Sequence, residues 1–480
     1  MRNRNGSRGR STGFTGFKAE ETRPLRETTF PNSQLDDVPD RPPRSGQRNL
    51  PVSHMKLAIP RNMRTQRPHV FVLVVGLTFL SLLVSAGVRA TPGVLMMPLQ
   101  DALGWSRSSI SLSAAVGIFL YGLVGPFSAA LMQKFGIRRM LIGALLLIGL
   151  STLMSLGMTQ PWQFFLTWGV LTGFGTGAVA MVLGATVVNR WFVARRGTIM
   201  GLLAASTATG SLLFLPGLAA LAHHFGWQAP VMAVAATTLI LVPLVALFLP
   251  EHPADRGLVP HGAEPDHESL RYTDQNPLRT AITALLAATR KRDFWFLFAT
   301  FFVCGFTTNG LIGTHFIAIC ADHGIGEVPA AGYLAMMGMF DLVGTTLSGW
   351  LTDRLDARWL LFSYYGLRGL SLIALPFIDF SPESLMIFGI FYGLDWIATV
   401  PPTLRLSNMA FGERSAPIVF GWIVFGHQIG AACAASLAGI LRQAQGSYQD
   451  MLVLAGTAGV VAAFLAASIG KGRALQKTMN

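Results

Sequence analysis

GWLTDRLDAR, residues 349–358, is a short charged turn set between two long apolar runs. A second, altered copy, AALMQKFGIRR at residues 129–139, lies about 220 residues upstream, so that Lys134 maps onto Arg354 and Arg138 onto Arg358. Each copy follows the second apolar run of its half of the chain. Two apolar halves that carry the same turn at the same place predict a parallel internal repeat.

The composition indicates an integral membrane protein. Hydrophobic residues make up 51% of the chain and charged residues only 13%, which is more apolar surface than a soluble protein of this size can bury. The apolar residues come in runs of roughly 20, the length of a helix that spans a bilayer. The three cysteines show no paired spacing, so neither a disulfide framework nor a metal site is expected, and no cofactor is implied.

The sequence therefore predicts an all-α protein with twelve transmembrane helices in two six-helix halves. The predicted spans lie near residues 70–98, 106–132, 139–158, 161–189, 197–221, 227–249, 294–321, 329–352, 359–378, 384–410, 416–441 and 448–470. The predicted domains are a disordered basic tail (1–68), an N-terminal half (69–249), a polar linker (250–293), a C-terminal half (294–470) and a short tail (471–480).

The basic residues predict the orientation. Short loops rich in Lys and Arg follow spans 2, 4, 8 and 12, whereas the opposite loops have few. The positive-inside rule then places both termini in the cytoplasm of a multi-pass plasma-membrane protein, or one of the inner membrane if it is bacterial. The first 68 residues hold 14 Lys and Arg against 6 Asp and Glu, which suits an anionic membrane surface better than nucleic acid.

The charged turn resembles that of the major facilitator superfamily through Gly349, Asp353, Arg354 and Arg358, and the resemblance covers the chain from about residue 68 to the end. In that family the turn helps to latch the cytoplasmic ends of the two halves together. The N-terminal copy departs from the pattern because Gln133 stands in place of Asp. The residues for which the resemblance implies a gating role are Lys134, Arg138, Arg139, Asp353, Arg354 and Arg358.

Two further stretches resemble the oxalate/formate-type and monocarboxylate-type branch of the superfamily. They are GVRATPG at residues 87–93 and NRWFVARRG at residues 189–197. The monocarboxylate-type Asp and Arg pair of span 8 is incomplete here, because Thr345 stands where the Arg would follow Asp341. In this fold, spans 1, 4, 7 and 10 usually line the central cavity.

Basic side chains within the spans are candidates for binding a substrate anion, because an ionisable group at membrane depth costs about 2.5–3.5 kcal/mol unless it is paired or hydrated. Arg89 in span 1 suits a carboxylate clamp, and the alternative is that its side chain reaches the membrane interface. His315 in span 7 and His427 in span 11 could donate to an anion, and the alternative for each is a histidine that only packs between helices.

Acidic residues within the spans suggest proton coupling. Asp341 lies in the middle of span 8 and Asp395 in the middle of span 10, where it could also contact substrate. Arg368 in span 9 must turn inward, and a structural ion pair with one of these acids is the favoured interpretation. Pro401 and Pro402 predict a break or bend in span 10.

These features favour a secondary carrier of small organic anions, monocarboxylate-like, which is either coupled to protons or exchanging. The alternatives are a carrier or exporter of neutral or amphipathic solutes or drugs, and a membrane sensor that does not transport. The sequence has no nucleotide-binding or metalloprotease motif, so an enzyme is not expected. The expected partners are a small-molecule substrate, the lipid bilayer and protons, with no nucleic acid.

Overall fold

The computed structural model describes residues 68–264 and 275–470. The predicted N-terminal tail, apart from its last residue, and the tail at 471–480 lie outside the described residues. Within the described ranges nearly every residue is helical, and no strand forms beyond an isolated bridge between Phe192 and His261.

The first group of helices covers the six predicted spans of the N-terminal half. It comprises α1 (Pro68–Leu103), α2 (Arg107–Phe135), α3 (Ile137–Met154), α4 (Pro161–Phe164), α5 (Thr172–Ala178), α6 (Met181–Trp191), α7 (Arg196–Phe225) and α8 (Gln228–Phe248). A π-helical segment, Phe165–Leu171, joins α4 to α5, so that α4, α5 and α6 together form span 4.

The second group follows a helix in the linker, α9 (Pro277–Thr289), which the sequence analysis did not anticipate. It comprises α10 (Arg292–Gly305), α11 (Gly313–Asp322), α12 (Glu327–Thr352), α13 (Ala357–Ala374), α14 (Pro382–Asp395), α15 (Val400–Phe411), α16 (Ala416–Gln445) and α17 (Gln449–Ala467). A second π-helical segment, Phe306–Ile312, joins α10 to α11, and these form span 7.

Eleven helical segments of the described chain are long and apolar enough to cross a membrane. Helix α7, with 30 residues, is not one of these eleven; it lies between the fourth and fifth of them, at the position of the predicted fifth span, and brings the number to twelve. The twelve-helix prediction is therefore confirmed, and the helix ends lie within a few residues of the predicted ones.

The two halves meet closely at two helix crossings that the internal repeat relates. Where α7 crosses α12, a Cβ added to Gly201 would lie 2.6 Å from the Thr345 carbonyl oxygen. Where α16 crosses α2, a Cβ added to Gly421 would lie 2.7 Å from the Cα of Pro126. Since Gly421 lies 220 positions after Gly201, glycine at equivalent positions lets both pairs of backbones approach.

The fourth and tenth spans are both interrupted at equivalent positions. Span 4 is interrupted between α5 and α6, and span 10 between α14 and α15 at residues 396–399. Ser128 donates a hydrogen bond to the carbonyl oxygen of Ala178 (3.0 Å), and Ser348 donates one to that of Ala398 (2.5 Å). Both residues of the second pair lie 220 positions after those of the first. Each serine therefore satisfies a carbonyl that the interrupted helix leaves without an intrahelical partner.

Candidate functional site

Arg89 lies on α1 as a half-buried cation without an acidic partner. Its guanidinium carbon is 4.1 Å from the centroid of the Tyr121 ring on α2, a cation–π contact. Its Nε is buried and has no hydrogen-bond partner. Among the described residues, no carboxylate lies within ion-pair distance of Arg89, so this cation is uncompensated.

His427 lies on α16 against the α10 helix. Its ring centroid is 5.2 Å from that of Phe301, and its Nδ1 is buried without a hydrogen-bond partner. The structure shows no contact between His427 and Arg89. Both lie beside the α2–α16 crossing, however, because Gly122, which follows Tyr121, packs against Gln428, which follows His427.

His315 lies on α11 and contacts Ala435 of α16 and Tyr448, the residue directly before α17. Its Nε2 lies 2.9 Å from the Ala435 carbonyl oxygen, which can only accept, so Nε2 carries the proton. Its Nδ1 lies 3.2 Å from the Tyr448 hydroxyl. Both ring nitrogens are therefore occupied by protein groups, as expected for a histidine that packs between helices.

Arg368 and Asp395 form a buried ion pair beside the break in span 10. Arg368 is 1% exposed and donates from Nε to Asp395 Oδ2 at 2.8 Å. It also donates from Nη2 to the carbonyl oxygens of Asp395 and, at 3.2 Å, of Trp396, and from Nη1 to Cys304 Sγ at 3.2 Å. The guanidinium thus both neutralises a carboxylate and satisfies carbonyls at the end of α14.

Asp341 lies on α12, contacts the same break in span 10 and is fully buried. Its Oδ1 accepts from Thr345 Oγ1 at 2.6 Å and from the backbone N–H of Ile397 at 2.9 Å. Its Oδ2, like Asp395 Oδ1, is buried without a hydrogen-bond partner. The cluster therefore holds two carboxylates but one guanidinium, with one oxygen of each carboxylate left free.

The charged turn of the C-terminal half joins the two halves through Asp353. Its Oδ1 accepts from the backbone N–H of Gly197 at 2.7 Å, and its Oδ2 accepts from the N–H and hydroxyl of Thr198 at 2.8 and 2.6 Å. Those N–H groups belong to the first turn of α7 and have no intrahelical partner. Asp353 thus caps a helix of the other half, where a carboxylate also complements the helix dipole.

Further contacts join the halves at the same end of the helices, which we call the basic face. Arg196 pairs with both carboxylate oxygens of Glu413, Nη2 to Oε2 at 2.8 Å. The side-chain amides of Asn189 and Asn408 donate to each other at 2.7 and 2.9 Å. Gln133 donates to the Arg414 carbonyl oxygen at 2.6 Å. Together with the Asp353 contacts, these form what we call the basic-face latch.

The other residues with an implied gating role make contacts within their own half. The Arg354 guanidinium stacks on Trp350, 3.9 Å from the ring centroid, and Arg358 pairs with Asp356 at 2.5 Å. That hydrogen bond lowers the pKa of Asp356. Lys134 lies 5.5 Å from the ring of Phe135, and the backbone N–H of Arg138 donates to Glu251 Oε2 at 2.9 Å. Among the described residues, the Arg139 side chain has no hydrogen bond, ion pair or ring contact.

Sequence reasoning missed Glu251, which closes the N-terminal half at the basic face. It accepts from the backbone N–H of Ile137 and pairs with Arg190 at 2.5 Å, so it caps α3 and neutralises an arginine that is 6% exposed. Burial, and next the nearby Arg190 charge, lower the pKa of His252. The sequence signal that could have identified Glu251 is its position as an acidic residue directly after the last apolar residues of span 6.

This arrangement defines a class of protein: a helical membrane protein of two repeated halves, latched at one face, with charged groups buried between its helices. The sequence profile of the Major Facilitator Superfamily matches residues 77–435, three quarters of the chain. The chain belongs to this superfamily and is a transporter.

Relatives support the predicted branch. The chain is 29% identical to monocarboxylate transporter 13 of Bos taurus over 389 residues, which cover 80% of this chain and 84% of the relative. It is 26% identical to monocarboxylate transporter 11 of Homo sapiens, with 82% and 80% covered. It is also 27% identical to the uncharacterized MFS-type transporter YcxA of Bacillus subtilis (strain 168), with 72% and 82% covered.

Solved structures show the same fold at low identity. The E. coli fucose:proton symporter FucP superposes with a TM-score of 0.65 at 14% identity, covering 84% of this chain and 99% of the symporter. The proton:xylose symporter XylE superposes with a TM-score of 0.63 at 15% identity, covering 83% and 95%. The predicted family and fold are therefore confirmed.

Proposed function

We propose that this transporter is a secondary carrier of small, monocarboxylate-like organic anions that works by alternating access and is coupled to protons or exchanges one anion for another. The basic face would be cytoplasmic, in the plasma membrane or a bacterial inner membrane. The observation that carries the proposal is Arg89, a half-buried cation within a span that has no carboxylate partner among the described residues.

An unpaired guanidinium favours an anionic ligand. Arginine stays charged in proteins, and burying a charge without a partner is costly. Arg368, the fully buried arginine of the C-terminal half, has its carboxylate in Asp395, whereas within the described part of the chain Arg89 contacts the face of the Tyr121 ring and no carboxylate. A bound carboxylate would supply the missing charge and could accept two parallel hydrogen bonds from the guanidinium.

His427 offers a second donor from the opposite half. Its unpartnered Nδ1 and the Arg89 side chain both lie beside the α2–α16 crossing. Carriers of this architecture bind substrate near the middle of the membrane, between the halves. An anion that contacts both residues would therefore respond to the relative movement of the halves.

The cluster of Asp341, Asp395 and Arg368 supports proton coupling. One guanidinium balances one of the two carboxylates, and a proton on the other would balance the second. The Asp341 Oδ2 and Asp395 Oδ1 atoms, which lack donors, are the places where that proton could reside. Within this proposal, Arg368 is chiefly structural and Asp341 carries the proton.

The latch supports access from the face opposite the basic face. The polar contacts of Asp353, Arg196, Asn189 and Gln133 join the halves at the basic face. With that end closed, the site around Arg89 would open to the other side. The relatives named monocarboxylate transporters support the substrate class.

The test is direct binding of a panel of monocarboxylates, dicarboxylates and neutral sugars to the purified protein. We expect a monocarboxylate to bind best, Arg89→Ala to weaken its binding at least tenfold, and Arg89→Lys to recover only part of it, because ammonium lacks the planar fork. Arg256→Ala, which removes an exposed arginine of the linker, is the matched control and should bind as wild type. A neutral or cationic best ligand, or unchanged anion binding by Arg89→Ala, would contradict the proposal.

A further inference from the structure

We infer that α15 is a lever that links Asp341 to the basic-face latch, so that protonation of Asp341 releases the near end of α15 and opens the latch. This inference rests on the proposed function for the proton that Asp341 receives.

The near end of α15 is fixed by side chains from other helices. Residues 396–399 are not helical, and several backbone groups at this break take partners from other helices. Asp341 accepts from the N–H of Ile397 at 2.9 Å, and Ser348 donates to the carbonyl oxygen of Ala398 at 2.5 Å. Arg368 donates to the carbonyl oxygens of Asp395 and Trp396. The break is thus a defined structure, and a titratable carboxylate supplies one of its attachments.

The far end of α15 forms part of the latch. Asn408, in its last turn, exchanges hydrogen bonds with Asn189 of the other half. Glu413, two residues beyond its end, pairs with Arg196. Helix α15 has 12 residues and so is about 18 Å long at 1.5 Å per residue. A displacement at residue 397 would therefore be carried along a continuous helix to the contacts between the halves.

The internal repeat allows the break that carries ionisable side chains to be compared with an equivalent break that has none. The equivalent break in span 4 keeps its serine contact, from Ser128 to Ala178. At the positions equivalent to Asp341, Arg368 and Asp395, however, the N-terminal half has Tyr121, Ile148 and Gly175. Both halves share an interrupted helix, and only the C-terminal half adds two carboxylates and an arginine to it. The second break is therefore a matched internal control.

The surroundings of Asp341 set the direction of the effect. The charged and titratable groups that face it are Arg368 from α13, Asp395 from α14 and Cys304 from α10. Tyr365, Tyr392 and His427 border the same cluster through Arg368 and Cys304. While Arg368 remains paired with Asp395, protonation of Asp341 removes the charge from the oxygen that accepts from Ile397. A neutral acceptor makes a weaker hydrogen bond than a carboxylate, so the near end of α15 is released at low pH.

The experiment measures the opening of the latch without substrate. Nitroxide labels at Phe135→Cys and Trp359→Cys, both at exposed positions on the basic face, report the distance between the halves by double electron–electron resonance. Cys433→Ala removes the exposed native cysteine, and the buried Cys304 and Cys320 stay in place. We expect the ratio of open to closed populations to rise about tenfold between about pH 8 and about pH 5, the effect of weakening one charge-assisted hydrogen bond.

Three variants distinguish the lever from a general effect of pH. Asp341→Asn should fix the ratio of open to closed populations at both pH values, because its side chain cannot become charged. Ser348→Ala, which loosens the same break, should raise the open population at both pH values. Ser128→Ala, its counterpart in the repeat, should keep the wild-type response to pH.

A wild-type distance distribution that does not change with pH would overturn the lever, as would a wild-type pH response in Asp341→Asn. Equal effects of Ser128→Ala and Ser348→Ala would overturn it too, and these two variants keep the test valid if Asp341→Asn does not fold. If wild type shows no pH response but Arg89 is still required for anion binding, the lever is contradicted and the proposed substrate class is not. If wild type shows the pH response but anion binding does not depend on Arg89, the proposed substrate class is contradicted and the lever is not.

Discussion

Asp353, the C-cap residue of α12, accepts a 2.7 Å hydrogen bond from the backbone N–H of Gly197, in the first turn of α7 in the other half of the molecule. The same carboxylate also caps the next residue, Thr198. The family's charged turn therefore acts here as a helix cap that crosses between the halves. Its Asp makes the crossing contact, while Arg354 and Arg358 contact residues of their own half.

Replacing Asp353 with Asn should weaken the latch. An amide keeps one acceptor oxygen but turns an NH₂ group toward backbone N–H donors, and hydrogen bonds to charged groups contribute about 1.5–3 kcal/mol each. We expect Asp353→Asn to lower transport about tenfold or more with little change in membrane expression. Asp356→Asn, which removes a contact within one half, is the control. Wild-type turnover in Asp353→Asn would show that the cap does not control the transport cycle.

The altered copy of the turn has a structural explanation that also gives a prediction. The position equivalent to Gly197 is Pro417, which has no N–H for a carboxylate to cap. Gln133 instead donates to the Arg414 carbonyl. Gln133→Asp should therefore lose this contact and gain no cap, and transport assays should show reduced or unchanged activity. A clear gain of transport would mean that the carboxylate finds another donor.

The Asn189–Asn408 pair should contribute to the latch as one unit. Each amide donates to the other across the interface, so removing either leaves its partner partly unsatisfied. In a double-mutant cycle on transport rate, we expect Asn189→Ala, Asn408→Ala and the double variant to have similar effects. Additive effects would indicate that the two residues act separately.

The Arg368–Asp395 pair should be more important for folding than for substrate binding. Removing one partner of a buried ion pair typically costs about 3–5 kcal/mol, because the other charge stays buried and unpaired. We therefore expect Arg368→Met to lower thermal stability strongly, and Arg368→Met combined with Asp395→Leu to recover part of it. A single variant as stable as wild type would argue against a structural pair.

The sequence was sufficient to predict the fold because periodic apolar runs and a repeated turn are local signals. Span ends were predicted to within a few residues, and Pro401 and Pro402 marked the interruption of span 10, which lies directly before them. The corresponding break after Ala178 has no proline and was not foreseen. Only the serine contact, repeated at the same spacing, shows that the two breaks correspond.

The latch was harder to predict because its partners are distant in sequence. The family turn suggested Asp353, but not that Gly197 and Thr198 would be its partners. Asn189 and Asn408 lie near the ends of α6 and α15, and Glu413 follows α15. No local pattern marks these residues as contacts between the halves, because their roles depend on how the halves dock. Buried ionisable residues were easier to interpret, because an ionisable side chain at membrane depth is costly unless it is paired. Arg368 was therefore expected to pair with an acid, and it contacts Asp395.

The most direct test of an anion carrier coupled to protons is uptake of labelled monocarboxylates into proteoliposomes, with and without a pH gradient. We predict that wild type accumulates a monocarboxylate when protons can flow with it. We predict that Asp341→Asn loses this accumulation but still exchanges internal for external substrate. Accumulation that ignores the pH gradient in wild type, or that persists in Asp341→Asn, would contradict coupling through Asp341, and failure to move any organic anion would contradict the account as a whole.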